Sequence, residues 1–223
     1  SEMGERMGIY DKPPAYEAMS LGAGETTLMK MVTAYAMIDN GGRRVEPTLI
    51  DRIQDRYGKT IFKHDKRGCA TCMAPDWNAN LPEPELLDIS DQVMNPYTAY
   101  QITSMMEGVV IRGSGSRVRL PVPVAGKTGT TNDAKDVWFI GYSSEVVAGC
   151  YMGFDQPRSL GEGAFGGTLC VPIFQEFMKE AVATYGGTEF AVPPGGYFQK
   201  IDRFTGAKLP ADATGDNVIS EYF

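Results

Sequence analysis

Ala125-Gly126-Lys127-Thr128-Gly129-Thr130-Thr131, followed by Val137-Trp138-Phe139-Ile140-Gly141-Tyr142 and Val146-Val147-Ala148-Gly149-Cys150-Tyr151-Met152, is the stretch that decides the fold. The last two runs are rich in β-branched and aromatic residues and are separated only by Ser143-Ser144-Glu145, which predicts an antiparallel hairpin. Upstream, Val122, Val124 and Gly126 alternate with Pro123, Ala125 and Lys127, which predicts a strand from Pro121 into the Lys-Thr-Gly segment. Strands grouped in this way with helices on either side predict an α+β fold, an antiparallel sheet flanked by helices.

The helices are read outward from that sheet. Thr26 or Thr27 caps one whose apolar face is Leu28, Met31, Val32, Tyr35 and Ala36, and Asn40-Gly41-Gly42 ends it. Asn95-Pro96 opens a second, which buries Ile102, Met105, Met106, Val109 and Val110 and breaks at Gly113-Ser114-Gly115. A third starts at about Pro172 and buries Phe174, Phe177, Met178, Ala181 and Val182. Residues between Val45 and Lys63 alternate loosely around Tyr57-Gly58-Lys59 and predict a hairpin, and Arg67 to Pro84 reads as a surface loop. After Tyr185 the chain becomes Gly/Pro-rich and is read as a peripheral extension with one short strand. The expected parts are a helical part (1–44), a hairpin and loop insertion (45–92), a sheet-and-helix part (93–185) and a C-terminal extension (186–223).

The chain has 223 residues, 43% hydrophobic and 22% charged, which fits a globular protein with a buried core. Its net charge of −7 argues against nucleic acid as a partner, because no basic stripe is present to displace phosphate counterions. No apolar run reaches the roughly 18–20 residues of a membrane span, and the first residues do not read as a signal peptide. Ser1 to Tyr10 reads like the middle of a helix and its stop, so the chain is expected to be a piece of something longer.

Only the segment from Ala125 to Thr131 carries a sharp chemical signal. Its Gly-Lys-Thr also ends the nucleotide-binding phosphate loop, but that motif requires glycine at position 121, where this chain has Pro121. On a strand, period-two geometry separates Lys127 and Gly129 from Thr128 and Thr130. At a curved edge, the ammonium and both hydroxyls can still meet one anion, and Gly129 lets a ligand backbone lie along the strand. The competing structural reading is that Lys127 pairs with Asp133 or Asp136.

Lys127-Thr128-Gly129 is the third signature of the penicillin-binding proteins and serine β-lactamases. The surrounding sequence resembles the class A, bifunctional penicillin-binding proteins. The matching stretches are Ala125 to Asp133, Asp136 to Tyr142, Gly153-Phe154-Asp155-Gln156-Pro157, Ala34 to Gly42 and Val171-Pro172-Ile173-Phe174. The likeness runs from Gly8 to about Ala183.

The resemblance implies a transpeptidase that passes the acyl group of a peptidoglycan stem peptide from D-Ala-D-Ala to an amine, and that β-lactam antibiotics acylate. It implies that Lys127 gives the cleft positive potential and helps move protons. It further implies that Thr128 and Thr130 bind the substrate carboxylate, with Gly129 and Thr131 beside them, and that the Thr130 N–H forms half of an oxyanion hole. A site on the periplasmic side of the inner membrane follows in the same way, and no cofactor is implied. The family places S-x-x-K and then S-x-N before K-T-G, and neither precedes Lys127 here. A serine without a base held nearby is not a nucleophile. The nucleophile is therefore expected from the upstream half of the same transpeptidase domain, and this chain alone is expected to be inactive. The glycosyltransferase domain of class A proteins is also absent from the chain. A non-catalytic envelope module that binds peptide or protein is the alternative, and a β-lactamase is disfavoured because no deacylating carboxylate can be located.

Cys69-Ala70-Thr71-Cys72 fits a zinc half-site, a redox pair or a local disulfide, and the extracytoplasmic location implied by the resemblance favours the last. Cys150, Cys170, Met105-Met106 and Trp138-Phe139 are expected in the core, and His64 on a surface loop.

Overall fold

In the computed structural model, residues 2–13, 16–69, 86–87 and 89–223 are described. They form two compact units, 46–91 and the remainder of the chain. In the smaller unit, β1 (Arg52–Gln54) pairs antiparallel with β2 (Thr60–Lys63) and Ile53 stands opposite Phe62. The Asp55 carboxylate accepts from the Tyr57 and Lys59 amides at 2.9 and 3.0 Å, and Gly58 takes the left-handed turn position at φ 81°. Most of the loop expected at 67–84, with Cys72, lies outside the described residues.

The larger unit is built on a three-stranded antiparallel sheet, β3 (Ala125–Thr130), β4 (Asp136–Tyr142) and β5 (Val147–Gly153), in that spatial order. Helices cover both faces, as the expected α+β arrangement requires. On one face, α4 (Gly166–Tyr185) buries Phe174 and Met178 against Val137 and Phe139, whose ring meets Phe174 edge-on at 4.7 Å between centroids. On the other lie α2 (Leu28–Asp39) and α3 (Pro96–Arg112), where buried Met106 packs with Ala125 and Tyr142, and the Tyr142 and Thr103 hydroxyls bond at 2.7 Å. A short first helix, α1 (Glu2–Arg6), precedes them.

Both caps read from the sequence form: Thr27 Oγ1 accepts from the Lys30 amide at 3.2 Å and Asn95 Oδ1 from the Tyr97 amide at 2.8 Å. The faces are shifted, however. In α2 the buried residues are Thr33, Ala34 and Met37, while Leu28, Met31, Val32, Tyr35 and Ala36 are half-buried. The reason is that α2 is packed on two sides. Ala34 and Met37 join Val93, Met94 and Ala99, while Val32 and Leu28 fill the space that a side chain at Gly149 of β5 would occupy. On α3, Met105 is 62% exposed because Thr103, Met106 and Val110 turn inward instead.

The strand expected from Pro121 begins only at Ala125, since Pro121 and Pro123 have no amide hydrogen to give a ladder. The helix expected from Pro172 begins six residues earlier, at Gly166. Thr168 Oγ1 accepts from the Phe165 amide at 2.9 Å and closes its first turn, and Pro172 sits exposed within it. Phe177 is 57% exposed, not buried. The extension holds two strands rather than one, β6 (Phe198–Asp202) and β7 (Val218–Tyr222), paired antiparallel, with Tyr222 stacked on Tyr97 of α3.

Cys150 and Cys170 are not two separate core thiols. They form a disulfide that ties β5 to the first turns of α4 across a separation of 20 residues. Reducing it at neutral pH is expected to lower the unfolding free energy by about 3 kcal/mol, the loop-closure value for a link of this length. Urea titrations with and without reductant check this, and coincident midpoints would show that the link adds nothing.

Candidate functional site

β3 is an edge strand of the sheet, and it carries every residue of the Lys-Thr-Gly signature. Directly paired residues of an antiparallel ladder share a face. Thr128 stands opposite Phe139 and Thr130 opposite Val137, which places both threonines on the α4 face. Lys127 stands opposite Ile140 and Gly129 opposite Trp138, on the other face. The alternation is therefore kept to the end of the strand. The ammonium and hydroxyls share one edge but hold separate partners within the chain.

Lys127 is exposed, and its Nζ donates to the Thr128 carbonyl at 2.8 Å. Neither acid suggested as its partner is used. Asp133 pairs with Lys135 at 3.7 Å, and Asp136 Oδ1 accepts from the Tyr151 hydroxyl at 2.8 Å, a bond that also raises the tyrosine pKa. The Thr128 hydroxyl lies 2.7 Å from that of Ser114, in the turn that ends α3. Thr130 Oγ1 accepts from the Gly166 amide, the first of α4, at 3.2 Å. Thr131 Oγ1 accepts from the Asp136 amide at 2.8 Å, and the Thr131 amide donates to the Asp136 carbonyl at 3.0 Å. The Thr131 side chain thus closes the turn between β3 and β4. That turn also places Asp133 and Ala134 in left-handed conformations at φ 60° and 49°.

Three features of the site escaped the sequence reading. Trp138 is not a core residue: it lies half-buried on the Lys127 face with its ring 4.7 Å from that of Tyr151. A Cβ at position 129 would come 3.3 Å from that of Trp138, so the glycine keeps the strand bare beside the indole. Gly166 and Gly167 permit close contact between α4 and the strand. A Cβ on Gly166 would fall 2.2 Å from the Trp138 carbonyl, and one on Gly167 2.6 Å from that of Ser114. The Ser114 hydroxyl itself left no pattern in the sequence, because its partner lies 14 residues away in another element.

Residues 3–179 match the family described as the penicillin binding protein transpeptidase domain. The chain belongs to this family. Among its relatives, penicillin-binding protein 1A of Rickettsia prowazekii (strain Madrid E) is 40% identical over 212 residues, covering 92% of this chain and 26% of that protein. Its Neisseria gonorrhoeae counterpart is 35% identical over 210 residues, covering 91% and 24%. The chain thus spans about a quarter of the length of these curated relatives. Crystalline penicillin-binding protein 1A from Haemophilus influenzae superposes with a TM-score of 0.76 at 27% identity, over 98% of this chain and 35% of that one. PonA1 of Mycobacterium tuberculosis in complex with penicillin V shares the fold at 21% identity, with a TM-score of 0.65 over 86% and 51%.

Among the described residues, the carboxyls displaced furthest upward from their ordinary range lie in α2 and α3. Burial, with Glu145 nearby, raises Asp39 to about 7, and burial, with Glu189 and Glu221 nearby, raises Glu107 to about 7. Asp39, Glu145 and Glu189 share the wall of a cavity of about 530 Å³. An acid whose pKa is raised by folding keeps its proton while the unfolded chain loses it. The contribution of these two groups to stability is therefore full below pH about 4 and falls as pH rises toward 7. We expect a loss of about 1 kcal/mol per group after allowance for solvent screening of these partly exposed carboxyls. Urea midpoints at pH 5 and pH 8 test this, with Glu107→Gln removing part of the difference; equal wild-type midpoints would refute it. Among the described residues, no group of three or more His, Cys, Asp or Glu could hold a metal ion, and no helix is long and apolar enough to cross a membrane.

Proposed function

We propose that this chain supplies the substrate-gripping strand of a peptidoglycan D,D-transpeptidase acting on the periplasmic side of the bacterial inner membrane. The observation that carries the reading is Lys127-Thr128-Gly129 on an exposed edge strand of a domain that belongs to the penicillin-binding transpeptidase family. Support for β-lactams as ligands comes from the penicillin V complex of PonA1, which has the same fold.

In this mechanism the stem peptide lies along β3 as an added strand, with Gly129 admitting its backbone. Thr128 and Thr130 turn their hydroxyl protons to its terminal carboxylate. Lys127 supplies positive potential where negative charge collects and assists proton transfer among the serines. A serine from the upstream half of the domain attacks the penultimate D-Ala carbonyl. The resulting oxyanion is held in part by the Thr130 amide, a donor worth about 3 kcal/mol in such sites. The C–N bond breaks, terminal D-Ala leaves with a proton, and an amine from a neighbouring stem displaces the serine. Thr131 takes part through the turn it closes, which sets the direction of the strand end at Thr130. No S-x-x-K precedes Lys127, so this chain alone is inactive.

The experiment is covalent labelling of the intact protein with fluorescent penicillin. Wild type should label and Thr130→Val should label markedly more slowly. An unlabelled wild-type protein would overturn the transpeptidase reading in favour of a non-catalytic envelope module. An unchanged Thr130→Val rate would remove the role given to that hydroxyl.

A further inference from the structure

We propose that Ser114 is a positioning residue for substrate carboxylate recognition: it donates its hydroxyl proton to Thr128 and so frees the Thr128 proton for the anion. This rests on the reading of β3 as the substrate-gripping strand.

A hydroxyl has one proton and two lone pairs. A carboxylate needs donors, so a threonine serves it only if its own proton is not committed elsewhere. Thr130 already meets this condition, because its oxygen accepts from the Gly166 amide at 3.2 Å and its proton is left over. Among the described residues, no backbone amide takes that role for Thr128. Its partner is the Ser114 hydroxyl at 2.7 Å, a contact in which either oxygen can give the proton. With the anion absent, the pair holds one proton between the oxygens in either sense. With the anion present, Ser114 gives to Thr128 and Thr128 gives to the carboxylate, a chain in which each bond polarises the next. Ser114 thus does for Thr128 what the first amide of α4 does for Thr130.

The turn that carries Ser114 is held from two sides. The Gly113 and Gly115 amides donate to the Val109 carbonyl at 3.0 and 3.1 Å, which fixes the turn to the end of α3. On the other side, the bare backbone of Gly167 lets α4 approach to where a Cβ would lie 2.6 Å from the Ser114 carbonyl. Ser114 is nevertheless exposed, so its removal opens no core cavity.

The test uses the intact protein and two probes, benzylpenicillin and its methyl ester, which differ only in the free carboxylate. Acylation is resolved into its binding and chemical steps. Ser114→Ala should slow acylation by benzylpenicillin about tenfold, mainly through the binding step, and leave the ester unchanged. Ser114→Thr should restore the wild-type preference for the free acid. In a Thr128→Val background, Ser114→Ala should have no further effect. Equal losses with both probes would show a merely structural role and overturn the proposal, as would a Ser114→Ala protein that matches wild type. If wild type reacts with neither probe, the transpeptidase reading itself falls and takes this inference with it; labelled wild type with an indifferent Ser114→Ala defeats the inference alone.

Discussion

Phe139→Ala is expected to destabilise the larger unit by about 3–5 kcal/mol, the range for truncating a buried phenylalanine. The ring is completely buried, meets Phe174 of α4 edge-on, and lies where side chains on Gly115, Gly126 and Gly141 would otherwise project. Three glycines converge on one ring, so the surroundings are shaped to it and have little side chain with which to fill the void. The loss is a large fraction of the roughly 5–15 kcal/mol by which an ordinary domain is stable. Urea denaturation should show a large drop in midpoint, and Phe139→Leu a smaller one. A loss below 1 kcal/mol for alanine would mean that the sheet and α4 are not packed around this residue.

The second large effect falls on chemistry rather than stability. In the intact protein, Lys127→Ala is expected to slow acylation by penicillin about 10²–10³-fold, the usual consequence of removing one preorganised electrostatic partner. Its thermal midpoint should barely move, because the side chain is exposed and its ammonium donates to the carbonyl of the next residue, Thr128. This separation of effects makes the variant informative. Unchanged acylation would remove Lys127 from the mechanism, while a large fall in midpoint would show that the strand needs the amine for folding.

Much of the sheet was legible because its signals are local. The β4–β5 hairpin needs only β-rich runs and a short link, and Thr27 and Asn95 are caps whose partners lie two or three residues away. The Lys-Thr-Gly segment was legible as a motif, and its strand alternation follows from period two. What escaped depends on distance along the chain. Period two already puts Trp138 on the face opposite Phe139, but only the packing of the helices over the sheet decides that the indole stays half-buried beside Tyr151. Cys150 and Cys170 look like two small apolar residues until β5 and α4 meet. The start of α4 was obscured by Gly166-Gly167, which reads as loop but is required by contact with the Trp138 and Ser114 carbonyls. Met105 and Phe177 fit a helical stripe, and only the position of each helix over the sheet decides that they stay outside.

The opposed sides of β3 answer to different neighbours: its hydroxyls to the Ser114 turn and the start of α4, its ammonium to the strand's own backbone. On the proposed function, sequence drift that arrives through α4 retunes how the substrate's acid is gripped while the charge beside it stays as it was, which leaves two separate dials instead of one.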